Sequence, residues 1–184
     1  MSDCIDTAKI LRYTLSHSTM ILDANALTDF HWLDEWMWFQ KNYSPLCASQ
    51  EVFNCDQLTK ATKESAERYL QPLGFDTEEI YANYKQIRKN FAPINSADSS
   101  TLAISKHHMS ICVTDAPKMI SICEKYGILH TNTLYLLSDM VHKQYKTASQ
   151  VITKVDLLTT KRGKWIKPEI LELWKRNIQQ YHSN

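Results

Sequence analysis

With 184 residues, 43% hydrophobic and 22% charged, the chain has the size and composition of one soluble globular domain with a proper core. No apolar run approaches the roughly 20 residues of a bilayer span, and Asp3 and Asp6 occupy the place of a signal peptide's basic start, so a cytoplasmic protein without a membrane partner is expected. Five cysteines (Cys4, Cys47, Cys55, Cys112, Cys123) are an odd set without metal-ligand spacing, which speaks for reduced thiols and against zinc or disulfide frameworks. The net charge of +1 conceals an asymmetry: from Val141 to Asn184 nine Lys and Arg face three acids, so the tail carries +6 and the rest of the chain −5. A basic tail on an acidic body is available to a polyanion, or is simply a solvated surface helix.

In chain order, residues 3–17 read as an amphipathic helix, with Ile5, Ala8, Leu11 and Leu15 at helical spacing. Thr19 to Leu22 is a short strand closed by Asp23, and Asn25 is placed to steady the loop or the Asp23 carboxylate. Residues 26–40 form one helix that is aromatic on more than one face, core or core plus a dimer face. Residues 45–48 are a weak second strand, and Ser49 caps a helix start carrying Glu51 and Asp56. Helix continues through 59–69, a break falls at Pro72-Leu73-Gly74, and Thr77 caps another helix to about Lys89. Residues 91–94 are a short third strand or a turn, since Pro93 keeps them to an edge. Asn95 or Ser96 caps a helix with Asp98 in its first turn, where the helix dipole favours a carboxylate. Residues 111–114 are a strand ending at Asp115, 117–126 a helix stopped by Gly127, 128–131 the last strand, and 133–141 a further helix.

Short apolar strands alternating with helices point to an α/β fold, a three-layer α/β/α sandwich with a mainly parallel sheet of four or five strands. Asp23, Asp98 and Asp115 then share the rim where such sheets bind ligands, with Glu51 or Asp56 as a fourth acid. Carboxylates gathered there raise one another's pKa values and call for a cation, and hard oxygen donors suit Mg²⁺ or Mn²⁺. Three glycines in all leave no glycine-rich phosphate cradle, no Gly-x-Ser-x-Gly elbow is present, and adjacent His107 and His108 point to different sides of a helix.

The segments Ile21-Leu22-Asp23-Ala24-Asn25, Ser96-Ala97-Asp98-Ser99-Ser100-Thr101-Leu102, Ile111-Cys112-Val113-Thr114-Asp115 and Tyr126-Gly127-Ile128 through Thr133-Leu134-Tyr135-Leu136-Leu137 resemble, in order and spacing, a PIN domain over about residues 19–140. The resemblance implies a metal-dependent endoribonuclease, many members being toxins of the VapC type, with RNA as substrate and an antitoxin protein as partner. Asp23, Asp98 and Asp115 match the acidic positions, Asn25 and Thr114 the supporting polar ones. Ala116 stands where members often carry a second acid, and Cys55 or Asp56 where they carry a glutamate. A PIN-like domain that binds RNA or protein without cutting is therefore the alternative, and an unrelated α/β domain with structural aspartates the third reading. The expected organisation is an N-terminal helix (1–18), the PIN-like domain (19–140) and a basic helical extension (141–184). In that extension Lys161, Arg162 and Lys164 are expected to hold RNA phosphates, while Trp165, Ile170, Leu173 and Trp174 dock it on the body.

Overall fold

The computed structural model describes residues 19–180, so the helix expected over 3–17 lies outside the described residues. Five parallel strands, β1 (Met20–Leu22), β2 (Leu46–Ser49), β3 (Gln71–Leu73), β4 (Ile111–Val113) and β5 (His130–Thr131), form one sheet in the order β3-β2-β1-β4-β5. The central strands β1, β2 and β4 are short and buried because both faces of the sheet are covered there, while the edge strand β3 is largely exposed and β5 is the polar pair His130-Thr131. Met20, Leu22, Ala48, Ile111 and Val113 face one core, and Ile21, Cys47 and Cys112 face the other.

The first core is closed by α1 (Ala24–Leu33), α2 (Trp36–Asn42), α4 (Lys60–Tyr69), α8 (Thr133–His142), α9 (Ala148–Thr160) and α10 (Pro168–Gln180). The second lies under α5 (Glu78–Asn90), α6 (Ser96–His107) and α7 (Pro117–Tyr126). Between β2 and α4, the short α3 (Gln50–Asn54) begins at the Ser49 cap and is pinned to α6 by Ser49 Oγ and Ser100 Oγ, 2.6 Å apart. The three-layer sandwich is as the alternation of elements predicts, with five strands, all parallel. Among the described residues no helix is long and apolar enough to cross a membrane.

Three local expectations need correction. The aromatic stretch is two helices, because Asp34 adopts a left-handed conformation (φ 50°) and ends α1. Glu35, just after the break, is drawn to Lys146 and Lys154 at 2.8 and 2.6 Å and to the Tyr145 hydroxyl at 3.0 Å. The third strand is 71–73, not 91–94. Pro72 was read as a break, yet an edge strand loses nothing by lacking one outward N–H, and Pro72 pairs with Ala48. The tail docks on the body, but through Val151, Val155 and Leu158 of α9 and Ile178 of α10, with Trp174 packed against them, while Trp165, Ile170 and Leu173, expected to dock it, are exposed.

Candidate active site

Everything of chemical interest lies at the carboxyl ends of the strands. Asp23 follows β1 directly and caps α1, its Oδ1 accepting from Ala26 N at 2.6 Å, while Thr114, just past β4, donates its hydroxyl to Oδ2. Thr114, expected as the polar residue before Asp115, thus reaches across to the first acid, Asp23. The Asp23 carboxyl is pushed up to about 7, chiefly by burial and with the charges of Asp115 and Asp98 adding to it, against the lowering effect of the two hydrogen bonds. The two charge effects place Asp115 and Asp98 within electrostatic reach of Asp23.

Asp98 comes from the first turn of α6. Asn95 caps that helix by accepting from Asp98 N at 2.7 Å and returns its side-chain amide to Asp98 Oδ2 at 2.9 Å. Burial raises the Asp98 pKa, against the Asn95 hydrogen bond and the charge of Lys118. Asp115 follows Thr114, and every hydrogen bond it accepts falls on Oδ2: from Thr133 Oγ1 at 2.6 Å, Thr133 N at 3.4 Å and Lys164 Nζ at 2.8 Å.

The last of these contacts changes the reading of the tail. Lys164, expected to grip phosphate, is buried, and its ammonium joins Asp115 Oδ2 to Oδ2 of Asp29, a fully buried acid on α1. Burial works against the Lys164 charge, but Asp115 and Asp29 outweigh it and hold the ammonium above its ordinary pKa. Arg162 is engaged too. Its Nε stands 2.8 Å from Asp29 Oδ1, a charge contact without hydrogen-bond alignment, and its Nη2 lies 3.3 Å from Asn25 Oδ1. Asn25 therefore steadies Arg162, and no hydrogen bond joins it to Asp23 among the described residues. Of the three tail cations expected on RNA, Lys161 alone is exposed.

Asp56 sits on the turn after α3, exposed, and shares a cleft with Glu51, Asn54, Cys55 and Asn95. The cleft adjoins the main site through Asn95, which holds Asp98. Oε2 of Glu51 is buried there without a hydrogen bond. A second cavity, of about 550 Å³, opens beside Asp115 and is bounded by Ile120, Leu134, Lys164, Trp165, Ile166 and Lys167, among others.

Sequence reasoning missed Asp29 and Thr133. The signal for Asp29 was present: it lies three residues after Ala26 and four before Leu33, on the buried face of its helix, where a carboxylate demands a partner. Thr133 Oγ1 lies 3.0 Å from Asp29 Oδ2 and 2.6 Å from Asp115 Oδ2, so the two acids share it as well as Lys164.

As they stand, the described residues gather no three acids, histidines or cysteines tightly enough to enclose an ion. By donor chemistry the rim suits a hard cation, since Asp23, Asp98 and Asp115 are oxygen donors whose charges oppose one another.

A parallel sheet in this order, with acids at the ends of β1 and β4 and at the start of α6, defines a nuclease-type α/β fold. The family model described as a PIN domain matches residues 19–180, and the chain belongs to that family. No curated protein matches the chain. The match runs through α9 and α10, so the strap that carries Lys164 lies inside it.

Proposed function

We propose that this PIN domain is a metal-dependent endoribonuclease acting on single-stranded RNA. The observation that carries the reading is the placement of Asp23 and Asp115 just past the paired strands β1 and β4, with Asp98 in the first turn of α6 near enough for its charge to act on Asp23. When bound, Mg²⁺ or Mn²⁺ supplies Lewis-acid activation of water and charge neutralisation at a phosphodiester. Asp23, Asp98 and Asp115 would hold the ion. Thr114 and the Ala26 N–H fix both oxygens of Asp23, Asn95 fixes Asp98, and Thr133 with Lys164 fixes Asp115. Burial of Asp23 keeps bulk water from its charge. Asp56 and Glu51 border this centre across Asn95, and either supplies a fourth acid to substrate or ion.

The cavity beside Asp115 gives the strand a path. Trp165 at its rim is 76% exposed, a stacking face for a base, and Lys161 and Lys167 flank it as exposed cations for phosphate. Replacing Lys161, Trp165 and Lys167 together by Ala should weaken binding of a fluorescent single-stranded RNA by about 1–3 kcal/mol through the lost stacking. It should also flatten the log–log salt slope by about 1.4, two phosphate contacts' worth on a single strand. Unchanged affinity and slope in anisotropy titrations would move the RNA path elsewhere.

The proposal itself is tested by incubating the full chain with single-stranded RNA in Mn²⁺, in Mg²⁺ and in chelator. Cleavage with either metal, lost in chelator and in Asp98→Asn, is the expected result. One observation favours the second reading, an RNA-binding domain that does not cut: Asp115 already carries the Lys164 ammonium. Metal-independent RNA binding with no cleavage under any of these conditions would establish that reading instead.

A further inference from the structure

Two-metal nucleases hold their ions about 3.5–4 Å apart, bridged by shared carboxylate oxygens. Here the shared carboxylate would be Asp115, the acid that follows β4, whose charge acts on Asp23 and which is joined to Asp29 through Lys164 and Thr133. On the Asp29 side the bridging place is taken. Lys164 Nζ lies 2.8 Å from Asp115 Oδ2 and hydrogen-bonds Asp29 Oδ2, with only 8% of the lysine exposed. The cation is fastened on both sides: the chain just before it is tied down by Arg162 to Asp29 and Asn25, and Lys164 N donates to Leu158 O at 2.9 Å.

We propose that the Lys164 ammonium is a resident cation of the centre, standing where a second divalent ion would bridge Asp29 and Asp115, so that the site takes a single Mg²⁺ or Mn²⁺. The inference rests on the metal-dependent reading above. Charge supports it. The four carboxylates Asp23, Asp29, Asp98 and Asp115 face three cations, Lys164, Arg162 and Lys118, and with Asp56 or Glu51 as a further acid one divalent ion brings the formal sum to zero. A second would add two positive charges to a site already neutral. The residue also supplies what the missing acid after Asp115 would otherwise change: Ala116 offers no further ligand, and an ammonium needs none.

The test is calorimetric and does not depend on turnover. Mn²⁺ titrated into the full chain should bind with a stoichiometry of one per chain. Lys164→Arg, which keeps a cation between the two acids, should stay at one. Lys164→Met should rise to two, because Oδ2 of Asp29 and Oδ2 of Asp115 then lose the cation between them. Two ions in the unaltered chain, or one in Lys164→Met, would overturn the resident-cation inference and leave the metal reading standing. No ion at all in the unaltered chain would overturn both. Should Lys164→Met not fold on its own, folding on addition of Mn²⁺ supports the inference, and remaining unfolded in Mn²⁺ refutes it.

Discussion

Lys164→Met should cost the metal-free protein about 3–5 kcal/mol of stability, read as a lower urea midpoint at constant slope. The magnitude follows from what the truncation leaves behind. Asp29 is fully buried, and among the described residues Lys164 is its only aligned cationic hydrogen-bond donor, Arg162 touching Oδ1 without alignment. Removing one member of a buried pair strands the other, which costs far more than the pair contributes when whole. The double variant Asp29→Asn/Lys164→Met should therefore be more stable than the single one, with a coupling of at least about 2 kcal/mol. Thr133 continues to serve the amide that replaces the Asp29 carboxylate. If Lys164→Met fell within ~0.5 kcal/mol of the parent, the range of ordinary surface changes, Lys164 would not be the buried partner described above.

The same contact shows why the tail was misjudged. Of its nine Lys and Arg, six are in ion pairs: Lys143 with Asp139, Lys146 and Lys154 with Glu35, Arg162 with Asp29, Lys164 with Asp29 and Asp115, and Lys175 with Asp156. Four of these cations, Lys146, Lys154, Arg162 and Lys164, cross to acids far earlier in the chain. The sequence did contain the hint, since a surplus of +6 in the tail nearly balances −5 in the body. Charges that cancel across one domain are each other's counter-ions before they are anyone else's. Which lysine meets which acid has no local signature, however, when 49 residues separate Asp115 from Lys164.

Features set by neighbouring residues were legible. Asp23, Asp98 and Asp115 could be placed on one rim because strand ends and helix caps are written locally, in Leu22-Asp23, Asn95 to Asp98 and Thr114-Asp115. Gly127 at the end of α7 is the same kind of signal, its φ of 66° being left-handed. Features set by tertiary demand were not. The end of α1 at Asp34 follows from Glu35 being held by α9 and the turn before it, and β3 exists because β2 offers an edge on which Pro72 does no harm.

The second large effect concerns Asp23, whose burial sets a pH dependence of known sign. In the folded, metal-free protein its carboxyl titrates at about 7, against roughly 3.9 in an unfolded chain. Between those values the folded state holds a proton that the unfolded state has lost, so this group lowers stability as pH rises from about 4 to about 7 and adds no further slope above that. Three pK units correspond to about 4 kcal/mol as an upper bound. Asp23→Asn removes the titration and keeps the shape. The amide oxygen still caps α1 at Ala26 N, and Thr114, which lies 3.5 Å from Met119 Sδ, can turn its hydroxyl there and accept from the amide nitrogen. In chelator, then, Asp23→Asn should match the parent near pH 4 and exceed it by on the order of 2–4 kcal/mol at pH 8, while its RNA cleavage falls to background. Mn²⁺ at about 1,000 times its Kd should reverse the order at pH 8, since a ligand of the folded state then adds about 4.1 kcal/mol to the parent alone. A gap that widened toward low pH, or none at pH 8, would mean that Asp23 is ionised in the folded protein throughout, and its place at the centre of the acidic cluster would have to be given up.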